Sequence, residues 1–365
     1  MALGLWGTVG AAGAALGPLI GGALLEHFWW GSAFLINVPI MLVVAPLVFL
    51  LLPSAEKTTP GTLAMGQTLL LIAGLLAVVY GIKSAVGATH PLVVGLAVAL
   101  LGFGLLTIFA RLQLRSAAPM LDLSLFSRPA ILAGIIMAVG ATGALAGVEL
   151  TLAQELQYVL GKTPLQAGVF MMPIMAAAAI GGPVAGYLSN WCGLRPVASS
   201  SLLLSAVAMA VLAQADFHQP GFGVPAMLAM LGLTLSIGLT ASSIAIMGSV
   251  EASKGAAGSL EATAYELGSG LGITIFGVFM SNIFSRAISL PMDLAKPLAE
   301  RAARSIGDSY VVANSLNEPQ GAALIDAAKE AFSAAHTVLL TTSSAMMGIL
   351  GIVVFIMLSG YKDGE

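Results

Sequence analysis

Ten stretches of about 20 nearly uninterrupted apolar residues run through this chain, each long enough for one helical crossing of a bilayer. Lipid offers backbone N–H and C=O groups no hydrogen-bond partner, so a spanning chain must be a helix or a closed barrel. Barrel strands would alternate apolar and polar residues, whereas these runs are continuous. The fold class expected is therefore an all-α membrane protein. The spans fall at Leu3–Leu25, Ala33–Leu52, Gln67–Val86, Pro91–Ala110, Pro129–Ala153, Leu165–Leu188, Val197–Ala215, Val224–Met247, Ser259–Phe284 and Val338–Leu358. Only 8% of the residues are charged and the mean hydropathy is +0.98, where soluble domains carry about 25% charge. The net charge of −3 leaves no basic footprint for a nucleic acid. A single cysteine, Cys192, excludes an internal disulfide, a thiolate zinc site and a CxxC pair.

Orientation follows from the basic residues of the short loops. Lys57, Arg111, Arg115, Arg128, Arg195, Lys254 and Lys362 fall on one side, which should be cytoplasmic; Lys162 falls on the other, with Lys83 near that end of its span. An even number of spans then leaves both termini inside. Eleven charged residues are concentrated between Arg286 and Glu330, in the one long loop, 286–336, on the outer side. Within it Met292–Ile306 and Pro319–Ala335 pattern as amphipathic helices, expected to form a solvated cap. Met1–Trp30 has no basic leader segment and no early cleavage pattern, so it is expected to be a packed helix rather than a signal peptide.

Carboxylates inside spans carry the chemistry. Glu149 lies in the fifth span, with Glu155 at its outer end beside Gln154, Gln157 and Tyr158; Glu261 and Glu266 lie in the ninth. Charge in lipid is expensive and faces a cavity or a partner, and a low dielectric favours the neutral form of any carboxyl. Glu261 and Glu266 are about 140° apart around a helix, so they do not share a face. Tyr265 is one turn beyond Glu261 and stacks above it. Glu155 is expected at the interface. Gly161-Lys162-Thr163 ends like a phosphate-binding loop, but the pattern needs glycine where Leu156 stands, so no nucleotide is implied. His27, His90, His218 and His336 have no metal-ligand spacing, and no cofactor is implied.

Glycines supply the motifs. Gly13, Gly17 and Gly21 share one helix face around Pro18, a surface that admits a second backbone. The full string GAALGPLIGG (Gly13 to Gly22) resembles the antiporter motif in the fifth span of drug:proton antiporters of the major facilitator superfamily. WWGSAFLINVP (Trp29 to Pro39), PMLDLSLFSRP (Pro119 to Pro129), Pro164-Leu165-Gln166-Ala167-Gly168, Gly181-Gly182-Pro183 and GSLEATAYELGSGLGITIFG (Gly258 to Gly277) are similar to further segments of its 14-span branch. The likeness is nearest to exporters of methyl viologen and quaternary ammonium compounds, and it runs from end to end. The loop from Gly186 through Gly193 to Arg195 matches the family loop in part, with Asn190 and Trp191 where Asp and Arg are usual.

This resemblance implies a proton-coupled multidrug exporter of the inner membrane, not an enzyme, whose partners are cationic small molecules, protons and the lipid bilayer. It implies that 1–52 holds the last two helices of an N-terminal bundle. Residues 53–128 would hold two linker helices and a loop, 129–358 a C-terminal six-helix bundle, and 359–365 a tail. About ten of the branch's fourteen spans are then present, the first four being the missing ones, and the chain alone is expected not to pump. Glu149, Glu261 and Glu266 become candidates for proton or cation coupling, since such a carboxylate binds either a proton or a drug. Quaternary ammonium has no N–H to donate, so opposite charge and aromatic faces must hold it; Phe170 and Tyr265 are the candidate cavity aromatics. A non-transporting membrane protein or partner subunit that oligomerises through the glycine face of the first span is the alternative. A lipid-acting enzyme would need a clustered polar interfacial site, and none is visible.

Overall fold

The computed structural model describes residues 2–51, 65–86, 92–116, 123–248, 254–291 and 294–360. Among the described residues the regular structure is all helical: α1 Ala2–His27, α2 Ser32–Leu35, α3 Asn37–Leu51, α4 Met65–Val86, α5 Leu92–Arg115, α6 Pro129–Gln154, α7 Pro164–Cys192, α8 Leu194–Leu212, α9 Gly223–Gly248, α10 Lys254–Ala287, α11 Lys296–Ala302, α12 Ile306–Ala313 and α13 Glu318–Met357. Nine helical stretches among them are long and apolar enough to cross a membrane. They coincide with nine of the ten expected spans, and the remaining one falls on α1. This is an all-α, multi-pass membrane protein. Lys57, Lys362, the expected span ends Leu52 and Pro91, Pro119 to Asp122 of the lead-in segment, and Met292 lie outside the described residues.

Local sequence sets the helix ends. Thr163 caps α7: its hydroxyl accepts from the Gln166 backbone N–H at 3.3 Å while the Gln166 side chain accepts from Thr163 N–H at 3.2 Å. Pro164 sits at the first helical position, where its missing N–H costs nothing. At the other end Gly193 has φ +84° and ψ 157°, a conformation open only to glycine, which lets α8 start at once. Trp29, Trp30 and Phe34 form an exposed edge-to-face chain between α1 and α3, suited to a bilayer interface.

Helices α6, α7, α8, α9, α10 and α13 form one packed bundle, with Met137, Leu152, Ile174, Leu202, Leu228 and Leu340 in its buried core. Lipid tails are as apolar as leucine, so packing inside a membrane rests on close contact rather than on escape from water. Glycine provides that contact. A Cβ on Gly272 of α10 would strike the backbone of Gly143 on α6, and one on Gly268 would strike Val139 and Thr142. The hairpin of α4 and α5 uses the same device, with Gly81 against Ala99, Gly95 against Ala85, and Gly102 against Gly74 and Val78. Helix α4 also touches α10, and α1 lies along α7. No residue of α3 is buried.

Two expectations for the long loop are corrected. Pro319–Ala335 is not a separate cap helix. It is the first half of α13, which runs unbroken for 40 residues. Asp326, Lys329 and Glu330 lower the hydropathy there, but Leu324, Ala328, Ala331, Phe332, Ala335 and Leu339 keep one buried face at helical spacing. That face packs on Met280 and Phe284 of α10 and Ile306 of α12. The segment up to Ile306 is not one helix either: α11 ends at Ala302, and Ser305 caps α12 by accepting from Asp308 N–H at 3.1 Å.

Candidate functional site

Glu261 lies on α10 beside the buried cluster of Leu125, Ile131, Ile246, Ala257 and Leu260, at the end of the bundle where α6 starts and α9 stops. Its side chain is buried, and Tyr265, one turn on, points its hydroxyl at Oε1 from 2.8 Å. The same hydroxyl lies 3.2 Å from the Leu239 carbonyl of α9, which also accepts from Ser242 at 2.7 Å. A carboxylate deep among apolar helices is thus tied to a neighbouring helix through one phenol. Glu266 points elsewhere and is exposed, as the angle around the helix requires.

Helices α6 and α10 run parallel, because Val139, Gly143 and Gly147 meet Gly268, Gly272 and Phe276 in order. This register places Glu149, which is half-buried, about 25 Å along the axis from Glu261. The structure does not bring these two carboxylates together. Nor does it pair the two candidate aromatics. Tyr265 belongs with Glu261, whereas the Phe170 ring lies 6.4 Å from Phe217 at the opposite end, with Lys162 Nζ 5.8 Å from its centroid.

Of the antiporter-motif residues, Gly22 and Pro18 make the close approach. A Cβ on Gly22 would come within 2.8 Å of Leu165 Cα, and one on Gly168 within 2.9 Å of the Pro18 carbonyl oxygen. Gly13, Gly17 and Gly21, the expected packing face, have open space beside them. The contact face is rotated by one residue because α7 approaches from the Gly22 side. In the loop motif, Gly186 faces open space and Gly193 supplies the turn. Arg195 donates from Nε to the Phe355 carbonyl at 2.8 Å and stacks its guanidinium 3.8 Å from the centre of that ring, locking α8 to the end of α13.

Glu155 and His336 belong to one buried polar cluster. Helix α6 passes into a π-helical turn, Glu155–Val159, which aims the Glu155 carboxylate into the bundle, and the residue is 4% exposed. Ser333 Oγ donates to Oε1 at 2.6 Å, and His336 Nδ1 stands 3.7 Å from Oε2. A cavity of about 170 Å³ is lined by Glu155, Ser333 and His336 together with Asp216, Phe217 and His218. A second, of about 210 Å³, lies between α6, α10 and α13 and is lined by Thr151, Gln154, Tyr158, Ser281 and Phe284. The only sequence hint was an ionisable residue at each of two span ends; nothing local pairs them.

The family model of the Major Facilitator Superfamily matches residues 1–151. The chain is 45% identical over 353 residues to the methyl viologen resistance protein SmvA of Salmonella typhimurium, covering 96% of this chain and 71% of that protein. It is 32% identical over 339 residues to the multidrug efflux pump LfrA of Mycolicibacterium smegmatis, covering 91% and 66%. It is 29% identical over 289 residues to the tetracenomycin C resistance and export protein of Streptomyces glaucescens, covering 77% and 53%.

Proposed function

The chain belongs to the Major Facilitator Superfamily, and from that membership we propose that it serves proton-coupled export of lipophilic cations, such as methyl viologen and quaternary ammonium compounds, across the inner membrane. The observation that carries this is the Glu261–Tyr265 pair, a carboxylate buried among apolar helices with a single phenolic donor at 2.8 Å. Such a group can hold either a proton or a cation, and that exclusivity is what exchange requires. The names of the relatives, resistance proteins and efflux pumps, support the same direction of transport.

Within this proposal α1 to α3 come from an N-terminal bundle, α4 and α5 are linker helices, and α6 to α10 with α13 form the C-terminal bundle. Rocking of the two bundles about a midplane site would give alternating access. Both termini lie in the cytoplasm. Glu149 and Glu266 are further coupling candidates, and Phe170 and Tyr265 are candidate wall residues. Outward movement of a cation works against the membrane potential by about 2.3 kcal/mol per charge per 100 mV. Electroneutral export of a dication would consume two protons.

The test is Glu261→Gln in an exporting pump that contains this sequence, assayed as ethidium extrusion driven by an imposed proton gradient. Membrane levels should be normal and coupled export lost. Coupled export at the wild-type rate would remove Glu261 from the mechanism.

A further inference from the structure

We infer that Glu155 and His336, held by Ser333, form a proton-binding pair at the opposite end of the bundle from Glu261, opening through the 170 Å³ cavity onto Asp216 and His218. Its part in transport rests on the proton-coupled function proposed above; its capacity to bind a proton does not.

Burial and hydrogen bonding carry the inference. Glu155 and His336 are 4% and 2% exposed. Buried polar atoms in a purely structural contact are normally all satisfied. Here Ser333 satisfies Oε1, but Glu155 Oε2 and His336 Nε2 are buried with no hydrogen-bond partner among the described residues. The 3.7 Å between Oε2 and Nδ1 is too long for a hydrogen bond and short enough for an ion pair.

One added proton removes the net charge buried here. Taken up at Oε2, it gives a neutral acid beside a neutral imidazole. The pair goes from a net charge of −1 to 0, with one proton bound and no other bond changed. The His336 ring is held for this by stacking on Phe217, 5.8 Å between centroids and 30° between planes.

The surroundings supply a route and, among the described residues, no competing buried cation. Asp216 and His218 are exposed on the turn after α8, and the Asp216 carboxylate accepts from the His218 backbone N–H at 2.8 Å. Lys162, before α7, sits over Phe170 rather than over the pair. On α13 itself, Lys329 shares the face of Ser333 one turn farther out, and Glu330 is exposed. From α12, the Tyr310 hydroxyl is committed to the Tyr158 carbonyl at 2.6 Å and Asp308 to Arg301 at 3.5 Å. Helix α10 contributes no residue to this cavity's lining. Because Glu155 belongs to the π-turn ending α6, and His336 to α13, uptake of the proton changes the force between two helices of the bundle.

Infrared difference spectroscopy of the reconstituted chain between acidic and alkaline buffer tests the pair without any transport. The wild type should show a carboxylic C=O band that titrates. Glu155→Gln should abolish it, His336→Gln should move its midpoint, and Glu261→Gln should leave it in place. Should Glu155→Gln fail to fold, Ser333→Ala replaces it: loss of the hydroxyl must move the frequency of that band. A wild-type spectrum unchanged by Glu155→Gln, or a band indifferent to Ser333→Ala, overturns the pair. In an exporting pump, Glu155→Gln and His336→Gln should flatten the pH profile of export while ethidium affinity stays within about twofold. A uniform loss at every pH would mark the contact as structural and overturn its role in coupling. A titrating band in a protein that shows no proton-coupled export would uphold the pair and refute the proposed function instead.

Discussion

Gly272→Ala tests the central packing device of the bundle. The new methyl would point at the oxygen, Cα and carbonyl carbon of Gly143, which are backbone atoms and cannot rotate aside. Ordinary contact would return only if α6 and α10 separated by about 1 Å, and such a gap forfeits roughly a quarter to a half of each dispersion well of ~0.1–0.2 kcal/mol. Spread over roughly 20–30 atom pairs, the loss is about 1–2 kcal/mol, within the usual range for overpacking. Alanine's better helix propensity offsets ~0.5–1 kcal/mol of this. Gly270→Ala is the control. It lies two residues away on the same helix, gains the same propensity, and has nothing within 4 Å of its would-be Cβ. Propensity cancels between the two, so Gly272→Ala should be about 1–2 kcal/mol less stable than Gly270→Ala, a thermal midpoint lower by ~2–4 °C. Tryptophan fluorescence of the detergent-solubilised protein during heating reads this directly. A Gly272→Ala midpoint equal to or above that of Gly270→Ala would refute the close-approach argument.

Gly193→Ala should cost about 1–3 kcal/mol for forcing a side chain into φ +84°, while Gly186→Ala, inside α7 and beside open space, should gain about 0.5–1 kcal/mol from helix propensity and raise the midpoint. Arg195→Ala should lower the stability by about 1 kcal/mol, and Arg195→Lys should not restore it, because an ammonium cannot both stack on Phe355 and reach its carbonyl. Cys192 is the sole cysteine and is exposed at the turn between α7 and α8. With the proposed orientation, a membrane-impermeant maleimide should label it in inside-out vesicles and not in right-side-out ones; the reverse pattern would overturn that proposal.

Much of what is local was legible in the sequence. Span positions follow from hydropathy alone, and the Glu261–Tyr265 contact follows from one turn of helix. So does the divergence of Glu266 from Glu261. The pairing of Glu155 with Ser333 was hidden because it joins residues 178 apart and depends on a π-turn that no composition signals. The length of α13 was hidden for a different reason. Charges on its outward face lowered the hydropathy of a stretch whose inward face never stops being apolar. The motif glycines show a third limit: periodicity identified Gly13, Gly17 and Gly21 as a face, but only the position of α7 determines that Gly22 is the residue touched.

The unbroken run of α13 also makes it a lever. Forty residues at 1.5 Å each give a rod about 60 Å long, some 30 Å more than a bilayer's hydrocarbon core. A tilt of about 10° about its membrane-embedded half would sweep the Glu318 end through roughly 5 Å. Because α12 is packed on that outer half, it must ride along. Small reorientations inside the membrane are thereby magnified outside it, where a spectroscopic label or an antibody fragment can read them.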